Sequence, residues 1–301
     1  MEHKVNAFQQ AAEVLPPRLR RLVMELPQEE QQCGEELRLR VGFPLSVVFP
    51  EGERSLDGAA IEPGDVELLL ERASGASVHS VLEQLREGFI TLEGGHRVGF
   101  CGTTVVEQGK ITFLRDLSSA SIRVARQIPG LAQNLAPKLF GAGALQSTLI
   151  LAPPGAGKTS LLRDLIRTLS DGDCVPAHRV GVVDPRGELG AAVGGKMQLD
   201  LGCHTDLLNA CPKAQGLLLL LRAMNPQVLA VDEVTAPEDV QAICDAAGCG
   251  VVLLATVHGR DREDLKRRQL YRQLLELGVF RRLVTIEGRG AQRRYFVEVL
   301  E

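Results

Sequence analysis

The chain has 301 residues with a formal net charge of -4, and 45% of its residues are hydrophobic. This length suits two domains of ordinary size, and the small negative charge gives no support for nucleic acid or an anionic membrane surface as a general partner. The seven cysteines include no C-x-x-C pair, which argues against a disulfide framework or a zinc ribbon and fits a reducing cytosol.

No membrane-spanning segment is expected. The first ten residues lack a basic start followed by an apolar stretch, so we expect no signal peptide. The most apolar run, 217–221, is followed directly by Arg222, whereas a spanning helix needs about 20 apolar residues. We therefore expect a cytoplasmic protein whose membrane association, if any, is peripheral.

Residues 1–130 predict a small α+β domain. Alternating polar and apolar residues at 36–41 are typical of a strand with one wet face, and Gly94-Gly95 separates two short strands as in a hairpin. In chain order, the predicted elements are a helical start broken at Pro16 and Pro17, strands at 36–41 and 45–49, a helix at 63–85, a hairpin of 89–92 with 96–101, and strands at 110–114 and 121–124.

Residues 131–301 have a different residue pattern, in which short continuous apolar runs alternate with helical segments. Such runs are typical of fully buried parallel strands, and their alternation with helices predicts an α/β fold with a doubly wound, mostly parallel sheet. The predicted strands are 148–151, 180–183, 228–231 and 251–256, with helices from Lys158, from about Pro212 and from Glu238, and a final hairpin.

A phosphate-binding P-loop is predicted between the first of these strands and its following helix, which is the context that the motif requires. The candidate nucleotide-binding residues are Ala152, in place of the usual first glycine, Pro153, Pro154, Gly155, Ala156, Gly157, Lys158, Thr159 and Ser160. Gly155 and Gly157 let backbone N–H groups turn around phosphate oxygens. Lys158 supplies a point charge to the β- and γ-phosphates. A chance glycine-rich turn is the alternative interpretation.

Asp232 and Glu233 directly follow the apolar strand 228–231. Carboxylates at the tip of a buried strand are costly unless they hold a metal or perform chemistry. We therefore assign Asp232, together with the hydroxyl of Thr159, to Mg²⁺, and Glu233 to the attacking water. A solvated strand end is the alternative for such a pair. With a P-loop upstream, the pair predicts hydrolysis of ATP with Mg²⁺ as cofactor.

Two other strand ends are expected beside the γ-phosphate, because ligands of such sheets lie at the carboxyl edge. One carries Arg186 and Glu188, and the other carries Thr256 and His258. Glu188 and His258 are further catalytic candidates, Thr256 is a candidate sensor of the γ-phosphate, and Arg186 is a phosphate or interface contact. Solvated strand ends and an ordinary surface arginine remain the alternatives.

Three segments of the second domain resemble the core of the type II/IV secretion ATPases, which are hexameric motors of the RecA-like class: 222–233, Glu238-Asp239 and 255–258. By that resemblance, 184–188 corresponds to the acidic box, Glu233 to the Walker B glutamate and His258 to the histidine box. Asp232 departs from the pattern, since glycine is usual at its position.

The chain is still more similar to the stage III sporulation protein AA family, through 37–42, 88–99, 115–119, 122–126, 153–164, 205–208 and 211–214. It departs from the family at Pro185, Gly187, His204 and Val234-Thr235. The resemblance implies the ATPase of a specialised secretion or feeding channel between mother cell and forespore. Such a protein is peripheral on the mother-cell face of the membrane and docks on integral membrane partners.

The resemblance also implies a homo-hexameric ring, in which a neighbouring subunit supplies an arginine to the γ-phosphate. The candidates for this arginine finger are Arg115, Arg123, Arg126 and Arg186. For each of them, a surface arginine without a role is an equally good interpretation.

The segment from Arg260 to Arg294 contains 11 Lys or Arg and five acidic residues. A solvated helical face is the ordinary interpretation, and contact with an acidic partner, anionic lipid or nucleic acid is the functional one. It keeps open a different function, either a nucleic-acid-associated ATPase or a nucleotide-dependent switch. Nucleic acid is the less favoured partner, because the chain lacks an aromatic stacking platform for single strands.

Overall fold

The computed structural model describes residues 6–75, 88–107, 109–288 and 292–300. The first compact unit comprises residues 1–126 together with 193–198, and the second comprises 127–192 and 199–301. Within the first unit, the N–H of Gly94 donates to the side-chain carbonyl of Gln198 at 2.9 Å. No residue pattern indicated that residues 193–198, in the second half of the chain, belong with the N-terminal unit.

The first unit contains four described helices and six strands. The helices are α1 (Ala7–Ala12), α2 (Pro17–Met24), α3 (Gln28–Cys33) and α4 (Pro63–Ala73). The strands are β1 (Glu36–Arg40), β2 (Ser46–Phe49), β3 (Gly52–Ser55), β4 (Ile90–Thr91), β5 (Arg97–Glu107) and β6 (Lys110–Arg123). Part of the helix predicted at 63–85 lies outside the described residues, since the structure describes it only through Ala73 and a following turn.

The strands of the first unit form one antiparallel sheet in the order β3-β2-β1-β6-β5-β4. The short strands predicted at 110–114 and 121–124 are parts of one longer strand, β6, whose pairing with β5 is interrupted by a register shift between Cys101 and Thr103. Its central residues 115–119 are mostly polar, and the irregularity lies there, since Asp116 has a φ of +47°.

The core of the first unit lies on one face of this sheet. Alternating side chains of β1, Leu37 and Leu39, are fully buried there against Phe8 and Leu19 of the N-terminal helices. This is the one-sided burial expected of an antiparallel sheet. His96 is also fully buried in this unit, and its Nδ1 accepts the N–H of Ala125 at 3.0 Å.

The second unit is built on a seven-stranded sheet in the order β11-β10-β12-β13-β9-β14-β15. These strands are β9 (Thr148–Ala152), β10 (Val180–Asp184), β11 (Thr205–Asn209), β12 (Val228–Val231), β13 (Val252–His258), β14 (Arg282–Glu287) and β15 (Arg294–Val299), and two-residue strands β7 (Phe140–Gly141) and β8 (Ala144–Leu145) form a separate pair. All neighbours in the large sheet are parallel except β14 and β15.

Five helices cover both faces of this sheet: α5 (Lys158–Asp171), α6 (Lys213–Ala223), α7 (Pro237–Gly248), α8 (Arg262–Arg267) and α9 (Gln269–Glu276). Alternate residues of each strand contribute to opposite hydrophobic clusters. In β9, Ile150 packs with α5, whereas Leu149 and Leu151 pack with α6 to α9. The prediction of a doubly wound, mostly parallel sheet is confirmed, although edge strand β11 was missed.

The parallel register brings three strand ends to one edge of the sheet. Ala152, at the end of β9, pairs with His258, at the end of β13. Val231 pairs with Ala255, so Asp232 and Glu233 leave β12 beside the last residues of β13. The carboxyl edge of this sheet is where ligands bind in open α/β folds.

Candidate functional site

The loop between β9 and α5 has the backbone form that a phosphate-binding loop needs. Gly155 and Gly157 adopt φ angles of +73° and +97°, a region that side chains other than glycine rarely enter. Helix α5 begins at Lys158 and runs for 14 residues. Its first N–H groups have no partner within the helix, and the helix dipole favours an anion at this end.

The ammonium group of Lys158 is held at the centre of the site. The residue is only 5% exposed, and its Nζ donates at 3.1 Å to the carbonyls of both Ala152 and Pro153 and at 2.8 Å to Nδ1 of His258. Burial lowers the pKa of Lys158, and the charges of Asp232 and Glu233 oppose that effect. The lysine is therefore positioned for anion binding at the helix N-terminus.

His258 connects Lys158 to Glu233. Because an ammonium group can only donate, Nδ1 of His258 must accept and the ring proton must lie on Nε2. That Nε2 is 2.5 Å from Oε1 of Glu233, to which it donates. The other carboxylate oxygen of Glu233 lies 3.1 Å from Nη1 of Arg186. The neutral histidine thus fixes the carboxylate from one side and the arginine fixes it from the other.

Asp232 is held by two hydroxyl groups. Thr159 donates to its Oδ2 at 2.6 Å and Thr256 donates to its Oδ1 at 2.5 Å. Burial raises the pKa of Asp232 above its ordinary value, although both hydrogen bonds act in the opposite direction, and the nearby charges of Glu188 and Glu233 add to the increase. Within the described ranges, no basic side chain forms an ion pair with Asp232.

These groups fit a magnesium ion. Mg²⁺ prefers oxygen ligands and is held in nucleotide sites by one or two protein groups together with substrate phosphates. Asp232 is a half-buried carboxylate that forms no ion pair among the described residues, and it accepts the hydroxyl of Thr159. In the part of the chain that the structure describes, no three His, Cys, Asp or Glu side chains converge to hold a metal, so an ion here would share the ligands of a nucleotide.

The backbone at Glu233 adopts a left-handed conformation, with φ at +57°, which is uncommon for a residue other than glycine. Three side chains hold this turn: Thr256 accepts the N–H of Glu233 at 2.8 Å, Lys213 donates to its carbonyl, and the hydroxyl of Tyr271 donates to the carbonyl of Val234 at 3.2 Å. Lys213 and Tyr271 were not among the predicted site residues, because side chain to backbone bonds between distant residues leave no sequence signal.

The loop after β10 is organised by Asp184, which is 2% exposed. Its carboxylate accepts the N–H groups of Glu188, Leu189 and Gly190 at 2.7, 3.1 and 2.9 Å. Arg163 of α5 donates to the carbonyl of Leu189 at 2.8 Å. This loop thereby brings Glu188 close enough to raise the pKa of Asp232.

The structure therefore gathers most of the predicted residues at one edge of the second unit: Ala152, Pro153, Gly155, Gly157, Lys158, Thr159, Arg186, Glu188, Asp232, Glu233, Thr256 and His258. Pro154 and Ala156 belong to the same loop, and Ser160 lies in the first turn of α5. Their roles in binding or catalysis remain predictions.

The other candidate arginine fingers lie in the first unit and differ in their freedom. Arg126 donates to the carbonyl of Gly34 at 2.6 Å, and burial lowers its pKa. Arg123 pairs with Glu36 at 3.1 Å, whereas Arg115 lies 3.6 Å from Asp116 with a side chain that is 66% exposed. Arg126 is thus committed to its own unit, whereas the side chains of Arg115 and Arg123 are both exposed.

None of the helices in the described residues has the length and hydrophobicity needed to cross a bilayer.

The chain is similar in sequence and in fold to known proteins. Stage III sporulation protein AA of Bacillus subtilis (strain 168) is 38% identical over 277 residues, covering 91% of this chain and 89% of that protein. The pilus retraction motor PilT, solved with bound ADP, aligns with a TM-score of 0.59 at 14% identity, over 89% of this chain and 80% of that one. The ATPase DotB of Legionella pneumophila aligns with a TM-score of 0.55 at 16% identity, over 89% and 77%.

The two structural likenesses show a shared fold, namely a RecA-like domain preceded by an N-terminal domain. Sequence similarity, in addition to the fold, identifies the family. The family model described as "Sporulation stage III, protein AA" matches residues 5–295. The expected family is confirmed, and the chain belongs to the sporulation stage III protein AA family.

Proposed function

We propose that this protein is a magnesium-dependent ATPase that hydrolyses ATP to ADP and phosphate. The observation that supports the proposal is the convergence of the P-loop end of β9 with the carboxylate end of β12 and the histidine end of β13. Lys158, His258 and Glu233 form a continuous hydrogen-bonded chain there. Strand ends that were merely solvated would not connect these three groups by hydrogen bonds.

The P-loop and Lys158 bind the polyphosphate in this proposal. Backbone N–H groups of the loop and the N-terminus of α5 face the anion, and the Nζ of Lys158 exchanges its carbonyl partners, Ala152 and Pro153, for phosphate oxygens. Phosphate oxygens carry more negative charge than carbonyls, so the exchange strengthens the hydrogen bonds. The exchange also offsets the cost of burying the ammonium group.

Glu233 positions the attacking water. Its carboxylate accepts from Nε2 of His258, which leaves lone pairs free to accept a proton of the water that attacks the γ-phosphate. His258 keeps the carboxylate oriented and lies in direct contact with Lys158. The histidine thus connects the group that binds phosphate with the group that orients water. Glu188 adds negative charge near Asp232.

Thr159 and Asp232 would hold Mg²⁺. A bound Mg²⁺ neutralises charge on the phosphate oxygens during transfer. Asp232 supplies the carboxylate and Thr159 the hydroxyl oxygen, and Thr256 keeps the carboxylate oriented through its hydrogen bond to Oδ1.

At the cellular level, we propose that hydrolysis powers a specialised secretion or feeding channel in sporulation. The family membership and the structural likeness to the ATPases PilT and DotB support this. In this proposal the protein forms a ring of six subunits in the mother-cell cytoplasm, peripheral to the membrane and docked on integral channel components. Arg115 and Arg123 are the better candidates in the first unit for the arginine that reaches a neighbouring subunit, because both side chains are exposed whereas Arg126 is held by the carbonyl of Gly34.

The alternative of a nucleic-acid partner is weakened by local pairing within the basic segment. Four of its 11 cations pair with nearby acids: Arg262 with Glu298, Lys266 with Glu263 at 2.6 Å, Arg268 with Asp264 at 3.1 Å and Arg272 with Glu276 at 3.8 Å. Exposed helical pairs of this kind are typical of a solvated face.

The proposal is tested by nucleotide binding and turnover of the purified protein. We expect Lys158→Ala to weaken ADP and ATP binding by about 100-fold, because a buried charge-assisted contact is removed. Glu233→Gln should retain ATP binding and lose about 10²- to 10⁴-fold in kcat. The controls are Lys138→Ala and Glu238→Gln, which change exposed residues.

The outcomes separate the alternatives. Wild-type protein that is folded but binds no adenine nucleotide contradicts the proposal. A Glu233→Gln protein that supports sporulation in cells indicates a nucleotide-dependent switch. Turnover that rises with added DNA or RNA and falls steeply with salt indicates a nucleic-acid motor. Light scattering with and without nucleotide tests the ring.

A further inference from the structure

The C-terminal hairpin of β14 and β15 places an arginine against the P-loop. Because β14 runs parallel to β9, with Thr285 opposite Leu151, its carboxyl end lies at the same sheet edge as the loop. Arg293 immediately precedes β15 in this hairpin. A Cβ built on Gly157 would lie 2.8, 3.0 and 3.1 Å from Cζ, Nη1 and Nε of Arg293, so the guanidinium group lies flat against that glycine.

The position of Arg293 is set by the hairpin backbone. Gly288 has a φ of +79°, and a Cβ at that position would lie 2.6 Å from the carbonyl oxygen of Gln292. A glycine is therefore required for the chain to return this closely. The first pair of the ladder joins Glu287 with Arg294, which directs the preceding residue toward the loop before α5.

Arg293 has no acidic partner among the described residues. Its Nε is buried without a hydrogen-bond partner, and within residues 6–75, 88–107, 109–288 and 292–300 no carboxylate pairs with it. It also lies at the N-terminus of α5, where the helix dipole repels a cation and favours an anion. The guanidinium group of Arg293 and the N-terminus of α5 repel each other unless an anion binds to both.

We propose that Arg293 binds the α- and β-phosphates of the nucleotide from within the same chain. This proposal rests on the proposed ATP site. The side of the site follows from strand order: Glu233 and His258 leave β12 and β13 on one side of the P-loop strand, whereas β14 and β15 lie on the other. The water-positioning groups define the γ-phosphate end, so Arg293 faces the opposite end of the polyphosphate.

The test measures affinity by calorimetry for ADP, a non-hydrolysable ATP analogue and inorganic tripolyphosphate, each with Mg²⁺. We expect Arg293→Gln to weaken all three ligands by about 10- to 100-fold, the range for a lost hydrogen bond to a charged group. Arg293→Lys should lose less, because it keeps the charge but not the planar fork. Arg294→Gln is the matched control, since Arg294 is the exposed neighbour, and should change affinity less than about twofold.

Each other outcome overturns part of the proposal. Equal affinity of Arg293→Gln and wild type for all three ligands overturns it entirely. Loss confined to the ATP analogue, with ADP unaffected, places the arginine at the γ-phosphate instead. Loss for nucleotides but not for tripolyphosphate indicates contact with the base or ribose rather than phosphate. If circular dichroism shows that Arg293→Gln does not fold, the affinities of Arg293→Lys for the three ligands are compared with those of wild type instead. A wild type that binds none of the ligands refutes the ATPase proposal itself.

Discussion

The two units bury their ionisable groups in opposite ways. In the first unit, fully buried His96 has its pKa lowered to about 4, chiefly by burial and also by the charge of Arg126. It is therefore neutral at physiological pH. In the second unit, Lys158 and Asp184 are buried and Asp232 is half-buried within a network of hydrogen bonds at one edge of the sheet.

This difference distinguishes structural burial, in which a neutral group is part of the core, from functional burial, in which charged groups are kept from water at a ligand site. A neutral histidine costs less to bury than a charged group, even though the Nε2 of His96 is buried without a hydrogen-bond partner. Charged groups cost several kcal/mol when buried and rarely improve stability over apolar residues. The second unit therefore gathers charge at the carboxyl edge for a reason other than folding, and perturbed groups clustered at such an edge are typical of a ligand site.

The largest expected effect comes from breaking the charged network of the second unit at Asp184. Replacing it in Asp184→Ala leaves the N–H groups of Glu188, Leu189 and Gly190 without their acceptor. We expect a loss of about 3–5 kcal/mol in the free energy of unfolding, measured by urea titration.

Two variants control for this effect. Asp184→Asn keeps one acceptor oxygen and should cost less than the alanine variant. Asp206→Ala removes a half-buried carboxylate from the neighbouring strand and should change stability by less than about 1 kcal/mol. A loss from Asp184→Ala that does not exceed that of Asp206→Ala would show that the loop does not depend on this carboxylate.

The units also differ in how far their structure could be predicted from sequence. Strands β9, β10, β12 and β13 are continuous apolar runs, so burial on both faces made them readable. In β11 all five residues are at least partly exposed, and Thr205 to Asn209 has no such run. The middle of β6 likewise has no apolar run, and its pairing with β5 is interrupted there by a register shift.

The residues of the candidate site also differ in whether the sequence could indicate them. The P-loop and the Asp232-Glu233 pair are contiguous in sequence, so chemistry and spacing indicated them. Lys213, Tyr271 and Arg293 contribute through contacts with residues that are far away in the chain. Such contacts depend on tertiary structure and have no local pattern to predict them.

The next effect in size tests the neutral burial of the first unit. Because the pKa of His96 is about 4 in the folded protein and about 6.5 when unfolded, protonation favours unfolding. Its contribution is complete above about pH 6.5 and is lost as pH falls toward 4, by about 3 kcal/mol in all.

Urea titrations at several pH values between 7 and 4 measure this contribution. In His96→Gln, whose side-chain carbonyl can accept the N–H of Ala125, the loss of stability on acidification should be smaller than in wild type by about that amount. His178→Gln, in the second unit, is the control and should follow wild type. Parallel curves for wild type and His96→Gln would show that His96 does not remain neutral on acidification.

The smallest expected effect is a gain in stability from removing a charge in the second unit. Since burial raises the pKa of Asp232, its contribution to stability is complete below its ordinary pKa of about 4 and is lost as pH rises through the folded value. Without nucleotide at pH 7, Asp232→Asn should therefore raise Tm by about 2–4 °C, which corresponds to about 1 kcal/mol for a chain of this size.

Asp232→Asn should also lose the binding of Mg²⁺ with the nucleotide, because it removes the carboxylate charge. Wild type is expected to gain Tm with ADP and Mg²⁺ by mass action, whereas Asp232→Asn should gain less, and its ADP affinity should no longer depend on Mg²⁺. Asp245→Asn changes an exposed carboxylate on α7 and should alter neither quantity. A lower Tm for Asp232→Asn without nucleotide would mean that the carboxylate stabilises the fold by itself, and the contrast between structural and functional burial would then not hold at this residue.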